Sequence, residues 1–428
     1  MRNRFIGFTL IALLIAFGSV VAFAAPVEIS YWGVWGGEPA QSIENDVINA
    51  FNEAFEGRYR VVGSPAVSPE QLTTAVIGGA PPDVVKVDRF EVGSYASANV
   101  ITPLDDLIAR DGFSLAEYYP ATSDEAFYQG QTYAIPWNTD NRALYYNISM
   151  FAEAGLDPNA PPTTWEQVDE YARVLDRWNP DGTLAQGGFV PHWGNWYFLG
   201  WLWAAGGEVL SEDNRTVAWN GPEGHRAINW MKEALDKYGG APELDAWSGS
   251  VTNGAFYGGR LGMMMDGSWA LGHIKNIGME GQFGVANPPR PAGLEHEPIT
   301  WSGGFALAIP VGVSEEKRRG AWEFIKFYTS HWAQTQLGSR SGQIPALRSA
   351  ATSEEFMSID PLIYKFVDLM SYSRFRPVIP AGTQMWRIYV DQVHSLLTGG
   401  DTPPEQIMLQ TAENGQQALD EGWMRAGL

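Results

Sequence analysis

The chain has 428 residues, 45% of them hydrophobic, and a formal charge of −21, so it is long enough for two or three domains and too acidic for nucleic acid to be an expected partner. It has no cysteine, which excludes a disulfide framework, a thiolate metal site, a thiol nucleophile and a lipid-bearing cysteine after a leader. The six histidines are scattered without an H-x-x-x-H pair, and no G-x-S-x-G elbow or phosphate loop occurs, so no catalytic group, metal or cofactor is expected.

Residues 1–24 read as a signal peptide. Arg2 and Arg4 precede an apolar run, and Ala22-Phe23-Ala24 forms an A-x-A cleavage site. A permanent anchor is the alternative, against which the shortness of the run counts. The expectation is a free periplasmic protein.

From there short apolar strands alternate with amphipathic helices, the pattern of an α/β protein with mixed, mostly parallel sheets. VEISYW (27–32) is a strand followed by the glycine-rich loop GVWGGEPAQ, and Ile43, Val47, Phe51 and Phe55 mark one face of a helix. RYRVVG (58–63) is the next strand, Ser68-Pro69-Glu70-Gln71 opens a helix, and a further strand ends at Asp88. Helices are expected over 161–178 and 221–240, then a buried strand over 261–265 with a helix starting near Trp269. WSGGFALAIPVG is a strand, EEKRRGAWEFIKFYTSHWAQTQ one long helix, and GSRSG (338–342) a turn.

Several blocks, in order, carry a resemblance: YAIPWNTDNRALYYN, PPTTWEQV, the tryptophan-rich VPHWGNWYFLGWLWAAGGE, GRLGMMMDGSW, WSGGFALAIP with AWEFIKF, GQIPA, and RPVIPAGTQMW. Together they resemble the extracellular solute-binding proteins of ABC importers, most of all the carbohydrate-binding, maltose-binding-protein-like group. Trp137 departs from the pattern, which has a smaller aliphatic residue there. The resemblance implies two α/β lobes joined by about three crossings, near 136–137, 299–303 and 345–348, with the ligand in the cleft between them. The first lobe would hold 25–136 and 302–345, the second 137–301 and 346–428. The implied partners are a carbohydrate and the membrane permease subunits of the importer, with the protein itself a monomer.

A sugar offers C–H faces to an aromatic plane and a rim of hydroxyls to polar side chains, and each hydroxyl left unpaired on burial costs about 1–3 kcal/mol. Loop and element-end indoles are therefore the stacking candidates: Trp35, Trp137, Trp193, Trp196, Trp269, Trp301 and Trp386. Trp269 and Trp386 also match positions where relatives stack a ring on the sugar. Trp165, Trp178, Trp230, Trp322 and Trp332 lie at helical spacing and are expected in the core, with Trp201 and Trp203 packing as well. For the hydroxyl rim the candidates are Glu38, Asp88, Arg89, Asp140 and Asp266, with Arg340 and Arg376 weaker. Asp88 and Arg89 read equally as an ordinary ion pair, and Asp266 as the start of an Asp-Gly turn. The rival readings are a secreted glycoside hydrolase, or the same carrier with a polyol, glycerol phosphodiester or peptide as cargo.

Overall fold

The apolar run VEISYW lies in the strand Val27–Val34, which pairs in parallel with Tyr59–Pro65 and Val84–Asp88. In a computed structural model, describing residues 25–36, 40–192, 197–248, 252–398 and 402–428, this sheet continues through Phe305–Ala308 to Ala134–Pro136, both antiparallel to their neighbours. A second five-stranded sheet runs in the order Phe283–Ala286, Arg142–Asn147, Leu261–Gly267, Leu184–Phe189, Arg177–Trp178. Only Leu184–Phe189 and Leu261–Gly267 are parallel there. Both sheets are mixed, and antiparallel pairs are more numerous than expected because Phe305–Ala308 and Arg142–Asn147 run against their neighbours where the chain passes between sheets.

Each sheet has its own core. Ile29, Phe51, Leu307, Trp322, Phe324 and Tyr328 pack around the first. Leu144, Phe189, Trp201, Trp230, Met263 and Trp301 pack around the second. Between them the chain makes short ladders: Asn138–Thr139 pairs with Ile344–Pro345, and Thr300–Trp301 with Ser373–Arg374. These short ladders lie outside both five-stranded sheets, and the whole is a two-lobed α/β architecture.

Local chemistry accounts for the helix boundaries. Ser68 and Thr164 both form capping boxes, so Pro69–Ile77 and Trp165–Leu175 begin where their side chains satisfy the first free N–H groups. The long helix expected after residue 314 is two, Glu315–Tyr328 and His331–Ser341, because the Ser330 hydroxyl accepts from Ala333 N and starts a new helix. GSRSG is not a free turn: it closes the second of these helices, and Gly342 at φ 73° is its left-handed cap.

Trp165, Trp230 and Trp322 are core, and the helix Tyr197–Ala204 buries both Trp201 and Trp203. Trp178 and Trp332 are not core; they are 49% and 48% exposed. Trp178 sits on an edge strand and stacks on Tyr238, and Trp332 lies in the first turn of its helix against Phe327. Among the described residues no helix is long and apolar enough to cross a membrane.

Candidate ligand-binding site

Trp35 leaves the carboxyl end of the first strand half-buried, and its backbone N–H donates to the Glu44 carboxylate at 2.6 Å. Glu44 also accepts from Lys86 Nζ at 2.7 Å and Tyr328 OH at 2.5 Å, and the Lys86 ammonium lies 4.1 Å from the centre of the Trp35 ring. Trp269 opens the helix Trp269–Asn276 after the strand Leu261–Gly267, also half-buried. The Arg142 guanidinium lies 5.0 Å from its ring, and Arg142 is paired with Asp140. A Cβ on Gly267 would fall 2.1 Å from Trp269 Cζ3, so this turn must be glycine for the indole to lie where it does.

Trp35 and Trp269 follow strands of different sheets yet line one cavity of about 590 Å³. His273, Lys275, Arg340 and Gln343 contribute polar groups to its wall. Small-molecule sites commonly occupy about 300–1,000 Å³ and combine apolar walls with a few polar groups. The position is also the expected one, beyond the carboxyl ends of strands in both sheets.

A second cluster joins the lobes. Asp88 accepts from Arg376 at 2.9 Å, and the Arg376 guanidinium lies 4.1 Å from the Phe90 ring and 5.1 Å from that of Trp386. Trp386 is not in a loop: it lies inside the helix Gly382–Leu397, half-buried, with Phe90 and Tyr389 against it.

Five of the candidates are withdrawn from the cleft surface by burial. Arg89 is 0% exposed; it donates to Glu125 at 2.9 Å, to the Asn138 carbonyl at 2.5 Å and to the Gly303 carbonyl at 2.7 Å. It therefore clamps two crossings to each other. Gly304 accommodates it: a Cβ there would fall 2.2 Å from Arg89 Nη1. Asp140 accepts from Gly303 N at 2.8 Å and pairs with Arg142, so it too serves the crossing. Trp137 packs against Trp35 and Tyr328, and Trp301 is enclosed by Tyr197 and Trp201. Asp266 accepts from Asn253 at 2.6 Å, Tyr257 at 2.9 Å and Gly267 N at 2.8 Å; burial raises its carboxyl to about 6. Glu38, Trp193 and Trp196 lie outside the described residues.

Sequence reasoning missed Lys86, Glu44 and Arg142. The signal was present for the first two: VVKVD places a lysine inside an apolar strand, and Glu44 shares the apolar helix face of Val47, Ile48 and Phe51. A charge in either position requires a buried partner.

Two lobes, each with its own sheet, and a cavity walled by residues from both define the class of periplasmic-type binding proteins. The chain belongs to the bacterial extracellular solute-binding protein family, whose model matches residues 36–335. It is 27% identical to the sn-glycerol-3-phosphate-binding periplasmic protein of Rhizobium meliloti, over 79% of this chain and 80% of that one. It is 26% identical to the maltotriose-binding protein of Pyrococcus abyssi, over 74% of this chain and 65% of that one. Among solved structures it is similar to the GacH receptor of Streptomyces glaucescens, studied unliganded and with acarbose, at a TM-score of 0.78 and 22% identity, covering 93% and 100% of the two chains. It is also similar to maltose-bound MalE3 of T. maritima, at a TM-score of 0.76 and 23% identity, covering 91% and 99%.

Proposed function

We propose that this chain is the substrate-binding component of an ABC importer and that it captures a neutral sugar, a di- or oligosaccharide, for delivery to the membrane permease. The observation that carries this reading is the shared cavity of Trp35 and Trp269, two indoles that follow strands of different sheets and face a space of sugar-binding size. Rotation of the lobes would bring the two planes onto one ligand, so closure gains contacts with both lobes only when ligand is present. The lobes are taken as 25–136 with 302–345 and 137–301 with 346–428, residues 1–24 serving as the export signal and the mature protein remaining a periplasmic monomer. The sugar leaves unchanged, since binding and closure need no bond to break.

The three cations of the inner site favour a neutral cargo. Lys86, Arg142 and Arg376 are each engaged by a carboxylate, Glu44, Asp140 and Asp88 respectively. A phosphate would have to displace an acid from each, and those on Lys86 and Arg142 are buried. The second reading, a glycerol phosphate or phosphodiester, draws on Lys275 and Arg340 in the cavity wall and on the glycerol-phosphate-binding relatives.

A thermal-shift panel of maltose, maltotriose, mannotriose, sn-glycerol-3-phosphate and glycerophosphodiesters tests the choice, because a ligand that binds only the folded state raises the melting temperature. The expected result is a shift with at least one neutral oligosaccharide, recovered intact afterwards. A shift with phosphate esters alone would replace the sugar reading, and release of reducing ends would replace the carrier with a hydrolase.

A further inference from the structure

Each half-buried indole of the site has a cation close to its ring, and each cation has its own carboxylate. Lys86 with Glu44 lies at Trp35, Arg142 with Asp140 at Trp269, and Arg376 with Asp88 at Trp386. The first of these is the most fully enclosed, with both charged side chains only 1% exposed. Such a pair is a poor device for stability alone, because well-packed apolar residues in its place are often neutral or better. Something other than stability must account for a lysine in the middle of the strand Val84–Asp88.

The geometry supplies an account. Glu44 reaches the loop through its backbone, accepting from Trp35 N at 2.6 Å, and holds Lys86 through its other oxygen at 2.7 Å. Lys86 in turn reaches the ring, 4.1 Å from its centre. An ammonium over an indole face is attracted by the ring quadrupole, more strongly where water is excluded. Backbone and ring of one cleft residue are thus fixed by the two ends of one ion pair.

We propose that Lys86 is a positioning residue for ligand binding: it holds the Trp35 indole from the closed side while Glu44 holds the loop backbone, so the ring meets the ligand already oriented. This rests on the reading of Trp35 as a ligand contact. A ring fixed in advance spares the entropy of ordering it on binding, which is where such preorganisation gains affinity. The charged groups facing Lys86 are Glu44 from the helix Ala40–Ala54, with Tyr31 of the first strand and Tyr328 of the helix Glu315–Tyr328 bonded to the same carboxylate. Burial holds both phenols well above their ordinary range, so neither titrates near neutrality. Burial lowers Lys86 to about 8.

The test is fluorine NMR of the full chain labelled with 5-fluorotryptophan, the Trp35 resonance being assigned by its loss in Trp35→Phe. The expected result is a Trp35 resonance that moves with a midpoint near pH 8, and a pH-independent, displaced resonance in the double variant Glu44→Gln, Lys86→Met. Maltotriose affinity in that double variant should fall about tenfold, as a loosened ring would give. A Trp35 resonance that ignores pH in the unaltered protein and keeps its position in the double variant overturns the proposal. Unchanged maltotriose affinity in the double variant, where Trp35→Ala weakens it, overturns it as well. If Trp35→Ala itself leaves binding of every sugar untouched, the ligand-contact reading fails instead, and the fluorine titration still decides whether Lys86 holds the ring.

Discussion

The Ser268 hydroxyl donates to the Gly342 carbonyl at 2.6 Å. This bond ties the turn before Trp269, on the second sheet, to the end of the helix His331–Ser341, which packs with the first. It anchors the Trp269 indole beside the crossing at Ile344–Pro345, where rotation of the lobes would move it least.

Gly342 has little freedom in that arrangement. Its φ is 73°, and an added Cβ would lie 3.0 Å from Trp269 Cα. Gly342→Ala should destabilise the protein by about 1–2 kcal/mol for the left-handed backbone, and ligand affinity should fall because Trp269 is displaced. Denaturant unfolding and calorimetric titration with the bound sugar measure the two effects separately.

Trp269 can be moved from below without touching it. Gly267→Ala places a methyl 2.1 Å from its ring, so the indole must leave its position. Sugar affinity should fall tenfold or more, about 1.4 kcal/mol or above, with the far-UV circular dichroism unchanged. Trp269→Ala and Trp35→Ala should each lose a similar amount.

Arg89 should behave as a structural residue. Removing it takes from Glu125, which is also 0% exposed, its 2.9 Å partner and leaves it Arg376 at 4.0 Å; the Asn138 carbonyl loses its arginine donor, and the Gly303 carbonyl keeps the Asp140 N–H at 3.2 Å and hydroxyl donors at 3.3 and 3.4 Å. Arg89→Ala should therefore lose about 3–5 kcal/mol of unfolding free energy. A change confined to ligand affinity, with stability intact, would return Arg89 to the cleft.

The pH dependence of stability should run opposite to that of most folded proteins. Burial raises Glu125 to about 7, Glu91 to about 8 and Asp266 to about 6, from ordinary values near 4.5, 4.5 and 3.8. Between those limits the folded chain holds more protons than the unfolded chain, so stability is gained below the ordinary values and lost as pH rises through the raised ones. The melting temperature should fall from pH 5 to pH 8. Glu125→Gln should flatten that slope, which a scanning calorimeter can read directly.

Much of the fold was legible because its signals are local. The Ser68 and Thr164 capping boxes, the helical spacing of Ile43, Val47 and Phe51, and the apolar strand ending at Asp88 each rest on neighbours a few residues apart. The site was less legible because its residues are sorted by contacts distant in the chain. Trp35 and Trp137 both leave a strand of the first sheet, yet one is half-buried at the cavity and the other is covered by Tyr328, 191 positions later. Asp140 and Arg89 read as hydroxyl partners for the same reason, since the Gly303 backbone that engages both lies in the second crossing. The exposed Trp178 and Trp332 show the converse, indoles at apolar spacing whose outer side no other element covers.

The most direct measurement is a crystal structure of the protein with the oligosaccharide that raises its melting temperature. The expected result is one sugar between the lobes, with Trp35 and Trp269 in contact with its C–H faces and Arg89 still clamped to Glu125. A ligand held entirely within one lobe, or one that touches neither indole, would contradict it.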